Sequence, residues 1–250
     1  MILAPLVVLL FLEGPSWLKA VVVIVAAGLC LAELFAMAMP ERALERWVGV
    51  ALGVAMLVVL WRSPPTHTFG LMLPMLFVPG LVVVLRPVPI ESAALRMFTL
   101  WSGIFYIVLP LFAGLELALA PHPWMLYAAA AVFMGDTGAY FAGKALGRHK
   151  LHPRVSPNKT WEGAIGGLVG SALGGWLMVV ILDLPLTTLS AILFALIGGA
   201  IAQVGDLAES LIKRTFGVKD SGTLLPGHGG LLDRIDGLIF ALPFFALVLY

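Results

Sequence analysis

Long apolar runs, interrupted by Pro, Gly or charged residues, follow one another along almost the whole chain. A membrane-spanning helix needs roughly 20 apolar residues, and most of the runs approach that length. The pattern therefore predicts an all-α polytopic bundle of about nine transmembrane helices. The first, third and last runs are shorter, which implies tilted helices, a locally thin bilayer or boundaries that lie further out. The predicted segments are residues 1–12, 17–39, 47–61, 68–85, 97–119, 124–142, 162–182, 186–204 and 236–250.

Positive charges are distributed unevenly among the loops between these segments. If the N-terminus lies in the cytoplasm, all but two of the 15 Lys and Arg residues fall on the cytoplasmic side, and the exceptions are Lys19 and Arg62. Cytoplasmic loops of membrane proteins carry such an excess of Lys and Arg. We therefore predict a cytoplasmic N-terminus. The polar loops 143–161 and 205–235 then share the cytoplasmic face, because two spans separate them.

The composition supports the membrane assignment. Hydrophobic residues make up 61% of the chain and charged residues only 12%, with a mean hydropathy of +1.04, whereas a soluble domain carries about 25% charged residues. We expect the lipid bilayer, and no nucleic acid, as a partner. Cys30 is the single cysteine, so no disulfide framework is predicted. Residues 1–12 lack a basic leader and a small-residue cleavage site, so no cleavable signal peptide is expected.

The two halves of the chain differ in their polar content. Residues 1–120 carry isolated charges, which predicts a transmembrane scaffold, whereas residues 121–250 contain three polar blocks and form the predicted catalytic region. Glu33 and Glu116 lie within or near spans of the first half. We interpret both as helix-end or interhelical hydrogen-bonding groups rather than as substrate ligands.

The first polar block runs from Gly135 to Arg148. Asp136, near the end of a span, suits a metal ion or a substrate hydroxyl. Lys144 and Arg148 are four residues apart and share one side of any helical turn. The alternative interpretation of this block is a plain interfacial loop.

The second block is Ser156-Pro-Asn-Lys-Thr-Trp-Glu-Gly163, directly before a predicted helix. Ser156, Lys159 and Thr160 offer a cation and hydroxyl donors at a helix N-terminus, where unpaired N–H groups attract anions. The alternative is a capping segment with Thr160 as the N-cap, and both roles are compatible. The glycines that follow recur at spacings of three and four and predict close helix packing: Gly163, Gly166, Gly167, Gly170 and Gly174.

The third block, residues 206–236, has the highest density of charge. If the preceding helix continues past the membrane, Asp206, Ser210 and Lys213 fall on one face. Asp233 and Asp236 also share a face at the start of the last segment. Two helices can thus converge three carboxylates on one point, and such oxygen ligands suit Mg²⁺.

A Pro226-Gly-His-Gly-Gly230 turn lies between these carboxylates, and its bare backbone can approach a phosphate closely. Cations in the same block can neutralise phosphate charge: Lys213, Arg214, Lys219 and Arg234. A salt-bridged interfacial loop is the alternative, but it has no need for carboxylates at helical spacing beside a glycine-rich turn. His228 alone is ambiguous, because structural histidines are common.

These residues give the chain a family resemblance. Ser210 to Asp236 resembles the signature of the phosphatidate cytidylyltransferases, also called CDP-diglyceride synthases, at every defined position. The upstream Asp136-Thr-Gly-Ala-Tyr140 and the block from Ser156 to Gly163 also resemble that family. The resemblance covers residues 130–240 well and, elsewhere, only the hydropathy and the number of spans.

The resemblance implies that CTP and phosphatidate react to give CDP-diacylglycerol and pyrophosphate in an inner membrane, with the active site facing the cytoplasm. It implies Mg²⁺ as cofactor, with a monovalent cation as a second occupant of the carboxylate site, and it is compatible with a homodimer. The implied metal ligands are Asp206, Asp233 and Asp236. The implied catalytic residues are Lys219, Asp220, His228 and Arg234. The implied substrate-binding residues are Lys144, Arg148, Ser156, Lys159, Thr160, Ser210, Lys213 and Arg214, of which Lys144 and Arg148 would hold the phosphatidate headgroup.

Three other interpretations remain open from the sequence. A CTP-dependent polyprenol or phytol kinase would move the γ-phosphoryl group instead. An archaeal-type enzyme would use an ether-linked lipid acceptor. An ion or proton transporter would need charges near the middle of several spans, whereas the charges here cluster at span ends.

Overall fold

Helices account for most of the residues that the computed structural model describes, which are 3–62, 68–224 and 229–249. Each of the nine predicted apolar segments coincides with a helix in this part of the chain, so the predominantly α-helical fold is confirmed. The helices are α1 (Leu3–Glu13), α2 (Ser16–Ala38), α3 (Ala43–Arg62), α4 (Thr68–Leu85), α5 (Ala93–Leu119), α6 (Trp124–Leu146), α7 (Trp161–Leu182), α8 (Thr188–Thr215) and α9 (Leu232–Leu249).

Five described helices are long and apolar enough to cross a membrane, so the chain is a membrane protein, but the predicted count of about nine spans is not confirmed. Helix α1 has only 11 residues, and a helix rises 1.5 Å per residue against a hydrocarbon core of about 30 Å. Helices α6 and α9 carry charged residues within their length. The five candidate spans are Ser16–Ala38, Ala43–Arg62, Ile90–Leu119, Trp161–Leu182 and Thr188–Thr215.

A small antiparallel hairpin interrupts the helices, which the all-α prediction did not include. Strand β1 (Lys150–His152) pairs with β2 (Ser156–Thr160), and Lys150 lies opposite Thr160. The second polar block is therefore a strand that leads directly into α7 instead of an irregular turn. The exposed edges of so short a hairpin remain hydrated, and its stability depends on contacts with the neighbouring helix.

The chain groups into two compact units. The first contains Met1–Ala20, Ala113–Thr215 and Ile235–Tyr250, and the second contains Val21–Phe112 and Phe216–Arg234. This grouping describes packing, so the predicted division into a scaffold (1–120) and a catalytic region (121–250) stays a prediction.

Aromatic side chains form part of the core of the first unit. Tyr127 and Phe245 are fully buried and meet edge to face with ring centroids 5.7 Å apart. The Tyr127 hydroxyl donates a hydrogen bond of 2.5 Å to the carbonyl oxygen of Ala191. A buried hydroxyl needs such a partner, and this bond fixes α6 against α8.

Glycines bring α6 and α7 into close contact, as the glycine spacing predicted. A Cβ atom built on Gly138 would lie 2.5 Å from the carbonyl oxygen of Gly166. One built on Gly174 would lie 2.6 Å from the carbonyl oxygen of Ala130. Two backbones approach this closely only where side chains are absent. The contact holds the middle of α6, which carries Asp136, against α7.

Gly138→Ala is expected to destabilise the protein by about 1–2 kcal/mol, because the new methyl group would force the two backbones apart. The measurement is the temperature at which half of the detergent-solubilised protein loses its monodisperse elution peak. Gly70→Ala is the matched control, since no atom of the described residues lies within 4 Å of a Cβ atom built there. Equal midpoints for the two variants would contradict a tight α6–α7 contact.

The core of the second unit is built on α2, α3 and α5. Phe35, Leu31 and Leu100 are fully buried there. Gly49 of α3 and Gly103 of α5 leave the space that the Phe35 ring occupies, since an added Cβ atom would meet that ring. This packing fixes the orientation of α2, which carries Glu33 two residues before Phe35.

Candidate active site

A cleft of about 460 Å³ opens in the first unit. Its walls come from α6, from β2 and the first turn of α7, and from α8. The first two polar blocks thus meet the beginning of the third, although the sequence places them up to 70 residues apart. The charged and amide side chains of the lining are Asp136, Lys144, Asn158, Lys159, Gln203 and Asp206.

Three carboxylates from three helices come together in this unit. Asp136 on α6, Asp206 on α8 and Asp236 on α9 interact electrostatically with one another. Like charges at short range repel, and the repulsion is stronger in a medium less polar than water. The cluster is therefore a place where a cation is favoured.

A lysine supplies part of that positive charge. The Lys159 Nζ lies 2.5 Å from the Asp206 Oδ2, and Lys159 also interacts electrostatically with Asp136. The side chains of Lys159 and Asp206 are 25% and 34% exposed. The ion pair is therefore open to water and to a ligand, and a competing ion can separate it at modest cost.

The β1–β2 hairpin positions Lys159 at the cleft, and hydrogen bonds to Glu162 fix the start of the hairpin. The Glu162 carboxylate accepts hydrogen bonds from the backbone N–H groups of Arg148 and His149, at 3.1 and 3.2 Å. It also contacts the His149 Nδ1 at 2.6 Å. Glu162 belongs to the first turn of α7, so these bonds tie the end of α6 to the start of α7. Asn158 and Lys159 on β2 then face the cleft.

Thr160 is the N-cap of α7. Its hydroxyl accepts a 3.1 Å hydrogen bond from the N–H of Gly163, and the residue is buried. The capping role that the sequence offered is therefore present in the structure. Contact between Thr160 and a phosphate stays a prediction, as does that of Ser156, which is half-buried at the start of β2.

Lys144 and Arg148 differ in their surroundings. The Lys144 Nζ lies 5.6 Å from the centroid of the Tyr140 ring, within cation–π range, and both residues line the cleft. Arg148 is exposed beyond the end of α6. The cleft therefore includes Lys144 among its lining residues but not Arg148.

Helix α8 continues to Thr215, so Asp206, Ser210 and Lys213 lie on one helical face, as predicted. Lys213 is buried, and its Nζ is 3.0 Å from the Glu209 Oε1. Lys213 also interacts electrostatically with Asp236. Lys213 thus offsets negative charge of Glu209 and Asp236 within the first unit. Arg214 is exposed, with its Nε 3.5 Å from the carbonyl oxygen of Val155.

The remaining predicted residues belong to the second unit. Asp233 accepts three hydrogen bonds on its Oδ2: from the N–H and hydroxyl of Ser221, at 2.8 and 2.9 Å, and from the N–H of Gly230, at 2.8 Å. Asp233 therefore holds together the two described parts of the loop between α8 and α9, residues 216–224 and 229–231, which we call the signature loop. Its role as a metal ligand stays a prediction. Three predicted residues of this unit are exposed: Lys219, Asp220 and Arg234. His228 lies outside the described residues.

Glu33 fastens the same loop from α2. Its carboxylate accepts hydrogen bonds from the N–H groups of Leu231 and Leu232, at 2.9 and 2.8 Å, and from the Ser221 hydroxyl, at 3.2 Å. It is 9% exposed. The predicted interhelical hydrogen-bonding role of Glu33 therefore agrees with the structure, and its partners are the first N–H groups of α9 and the signature loop.

The donor chemistry of the first unit fits Mg²⁺, because Asp136, Asp206 and Asp236 supply the hard oxygen ligands that this ion prefers. Within residues 3–62, 68–224 and 229–249, however, no group of three or more His, Cys, Asp or Glu side chains is already arranged to hold a metal ion. A site of one or two carboxylates completed by substrate phosphates is consistent with both observations.

Sequence reasoning assigned no role to Gln203 or Asn158, and it left Asp136 without a committed one. Gln203 lies three residues before Asp206 on α8, and its Nε2 donates a 3.0 Å hydrogen bond to the carbonyl oxygen of Ala164. An amide inside an apolar span, one turn from a carboxylate, was the available signal. Asn158 directly precedes Lys159 in the second polar block, and this position was the available signal for it.

The fold and this site define a membrane-embedded helical protein with a carboxylate- and lysine-lined cleft suited to phosphate chemistry. Comparison with known proteins agrees with that class: the sequence profile of the Cytidylyltransferase family matches residues 1–250. The chain belongs to this family.

The chain is similar to several proteins named phosphatidate cytidylyltransferase. It is 43% identical over 166 residues to that of Brucella suis biovar 1 (strain 1330), which covers 61% of this chain and 60% of the relative. It is 48% identical over 126 residues to that of Staphylococcus haemolyticus (strain JCSC1435), covering 50% and 48%. It is 45% identical over 121 residues to that of Bacillus subtilis (strain 168), covering 48% and 45%. The matches thus span between about half and three fifths of these relatives.

Proposed function

We propose that the chain is a phosphatidate cytidylyltransferase, which converts CTP and phosphatidate to CDP-diacylglycerol and pyrophosphate in phospholipid synthesis. The observation that carries the proposal is the cleft in which Lys159 and Lys144 lie beside Asp136 and Asp206. The relatives named phosphatidate cytidylyltransferase support it.

The reaction joins two anions, which repel each other, and the lysines of the cleft reduce this repulsion. A phosphate oxygen of phosphatidate attacks the α-phosphorus of CTP, and the bond from that phosphorus to the β-phosphate oxygen breaks. The nucleophile is already an oxyanion, so no strong general base is required. Lys159 and Lys144 offset the repulsion between the substrates and stabilise the charge that develops on pyrophosphate. Positioning and electrostatics are therefore the main contributions of the protein.

The ion pair between Lys159 and Asp206 gives Lys159 a second role. Before nucleotide binds, the two side chains neutralise each other at 2.5 Å. A phosphate oxygen of CTP competes for the Lys159 ammonium group, and this exchange leaves the Asp206 oxygens open. Nucleotide binding and cation binding in the cleft then favour one another. CTP draws Lys159 away from Asp206, which frees the carboxylate for a cation, and a cation on Asp206 frees Lys159 for CTP.

We assign Mg²⁺ to Asp206 and Asp236, with Asp136 beside them. The bound metal would polarise phosphate oxygens and stabilise the leaving pyrophosphate. Asp233 as a third ligand, and a monovalent cation in the same site, stay predictions. So do the roles of Lys219, Asp220, His228 and Arg234 in catalysis, and the cytoplasmic orientation of the cleft.

The test is lipid-extractable label from CTP with ³²P at the α-position, given phosphatidate, Mg²⁺ and the purified protein in detergent. We expect label that migrates as CDP-diacylglycerol and that disappears with EDTA. In parallel, label at the γ-position should leave with pyrophosphate and be absent from the lipid.

Two outcomes would contradict the proposal. Transfer of γ-label to a polyprenol, with no α-label in lipid, would assign the chain to the CTP-dependent lipid kinases. No transfer of either label, with the protein monodisperse, would favour a transporter. An ether-linked acceptor is distinguished by comparing diacyl and dialkyl phosphatidate in the same assay.

A further inference from the structure

Gln203 is the single glutamine of the chain, and it follows an apolar stretch of α8 that runs from Ala191 to Ala202. A polar amide in such a helix is costly unless its polar atoms find partners. Gln203 lies three residues before Asp206, a spacing that puts both side chains on one side of the helix. Both line the cleft of the first unit, where Gln203 is half-buried. The cleft therefore holds a neutral amide next to its charged groups.

One hydrogen bond determines the orientation of this amide. The Gln203 Nε2 donates to the carbonyl oxygen of Ala164 on α7, at 3.0 Å. A carbonyl oxygen only accepts, so the nitrogen faces Ala164 and the amide cannot flip without losing the bond. Gly167 leaves the space for it, since a Cβ atom built there would lie 2.7 Å from Nε2. The Oε1 atom is left for a ligand, because residues 3–62, 68–224 and 229–249 supply no donor to it.

An acceptor oxygen in the cleft selects a ligand group that donates a hydrogen bond. Ionised phosphate groups only accept, and the glycerol of a diacyl phosphatidate has no free hydroxyl. The donors of the two substrates are therefore the amino group on C4 of cytosine and the ribose hydroxyls of CTP. A hydroxyl donates and accepts, so it can pair with either end of an amide, whereas the cytosine amino group only donates. An amide held in one orientation thus discriminates on the amino group.

We propose that Gln203 determines the base specificity of the cleft: its Oε1 accepts a hydrogen bond from the C4 amino group of CTP. The inference rests on the proposed function, because it takes the nucleotide of that reaction as the ligand. Uracil has a carbonyl oxygen in place of the amino group, so UTP would set two acceptors against each other and leave both without a donor. The bond to Ala164 prevents Gln203 from presenting its nitrogen to uracil instead.

The surroundings of Gln203 leave room for a base beside the triphosphate. Asp206, one turn further along α8, pairs with Lys159, whose ammonium group attracts phosphate oxygens. Ala139 and Ala164 also line the cleft, and their small side chains form a low apolar wall on which a planar ring can lie. The base and the phosphates of one nucleotide therefore occupy different parts of the same cleft, whose volume of about 460 Å³ is typical of a small-molecule site.

The experiment measures competition for bound CTP labelled with ³²P at the α-position, on the purified protein in detergent with Mg²⁺ and without phosphatidate. The competitors are CTP, UTP and the 2-pyrimidinone ribonucleoside triphosphate, which differs from CTP only in lacking the amino group. For the wild type we expect the last to bind about tenfold more weakly than CTP, and UTP about 10- to 100-fold more weakly. In Gln203→Leu both ratios should approach unity, because leucine fills similar space without an acceptor.

A second variant and a control complete the test. Gln203→Met also removes the acceptor, with a flexible side chain that packs more easily, and should give the same ratios if Gln203→Leu folds poorly. Val204→Ala is the matched control: Val204 is the next residue of α8, is 59% exposed and lies outside the cleft lining. It should keep the wild-type ratios.

Several results would overturn the proposal. One is an equal cost of removing the amino group in the wild type and in both variants at position 203. Another is a wild type that binds CTP and UTP equally, or that binds neither. A raised Mg²⁺ requirement of the variants with an unchanged preference for CTP would make the amide a cation ligand instead. Loss of discrimination against 2′-deoxy-CTP alone would place Oε1 on the ribose.

The inference and the proposed function fail separately. If CDP-diacylglycerol is formed and the cost of removing the amino group does not depend on Gln203, the inference falls while the proposed function stands. If CTP binds with a preference that Gln203→Leu abolishes, but no label reaches lipid, the cytosine-selective site stands and the proposed function falls.

Discussion

Asp206→Asn should reduce the turnover of CTP with phosphatidate by about 10²- to 10³-fold, which is the range for loss of one preorganised electrostatic group. Asparagine keeps the shape of the side chain but removes the charge that both Lys159 and a divalent cation require. Asp206 pairs with Lys159 and interacts with Asp136 and Asp236, so its loss affects the whole carboxylate cluster. The measurement is the initial rate of CDP-diacylglycerol formation over a range of Mg²⁺ concentrations.

Asp183→Asn is the matched control for this variant. Asp183 is exposed after the end of α7, with φ of 48°, and asparagine adopts this left-handed conformation readily. The control should retain wild-type turnover and Mg²⁺ dependence. Near-wild-type turnover of Asp206→Asn at limiting Mg²⁺ would show that Asp206 does not hold the metal. A raised Mg²⁺ requirement with an unchanged elution profile would separate a metal role from misfolding.

Glu33→Ala should destabilise the protein by about 3 kcal/mol and remove most of its activity. Alanine leaves the N–H groups of Leu231 and Leu232 without their acceptor in a buried position. Each hydrogen bond to a charged group contributes about 1.5–3 kcal/mol. The signature loop would lose its connection to α2, and the side chains that this loop carries would lose their positions. The measurements are the thermal midpoint in detergent and the rate of CDP-diacylglycerol formation.

Glu33→Gln distinguishes hydrogen bonding from charge, because its amide oxygen can still accept from one of these N–H groups. We expect an intermediate midpoint and partial activity. Glu116→Ala is the control: Glu116 is a half-buried helical glutamate for which the structure gives no hydrogen bond within the described residues. If Glu33→Ala and Glu116→Ala shift the midpoint equally, the loop connection through Glu33 contributes little.

Local physics made several features predictable. Apolar runs located the helices, because a run bounded by Pro, Gly or charge has one favourable state in lipid. The spacing of glycines in α7 predicted its contact with α6, and Thr160 before the helix predicted its cap. Continuation of α8 to Thr215 followed from a helical spacing of polar residues. These features depend on a few neighbouring residues and on the periodicity of the helix.

Other features depend on residues far apart in the chain. The strands at 150–160 are short and polar, and Glu162 connects the backbone just before β1 to the start of α7 by accepting from the N–H groups of residues 148 and 149. The predicted number of spans is not confirmed, because α1 is short and because α6 and α9 carry charged residues. No local signal connects Glu33 with Leu231 and Leu232, which follow it by 198 and 199 positions in the chain.

By itself the sequence determined the helical membrane architecture, the three polar blocks and the family resemblance, since hydropathy and motif spacing are local properties of the chain. Tertiary structure alone decided which charges meet: Lys159 with Asp206, Lys213 with Glu209, and Asp233 with Ser221 and Gly230. The physical reason is that a buried charge takes its role from its nearest partner, and that partner is selected by how helices pack rather than by distance along the chain.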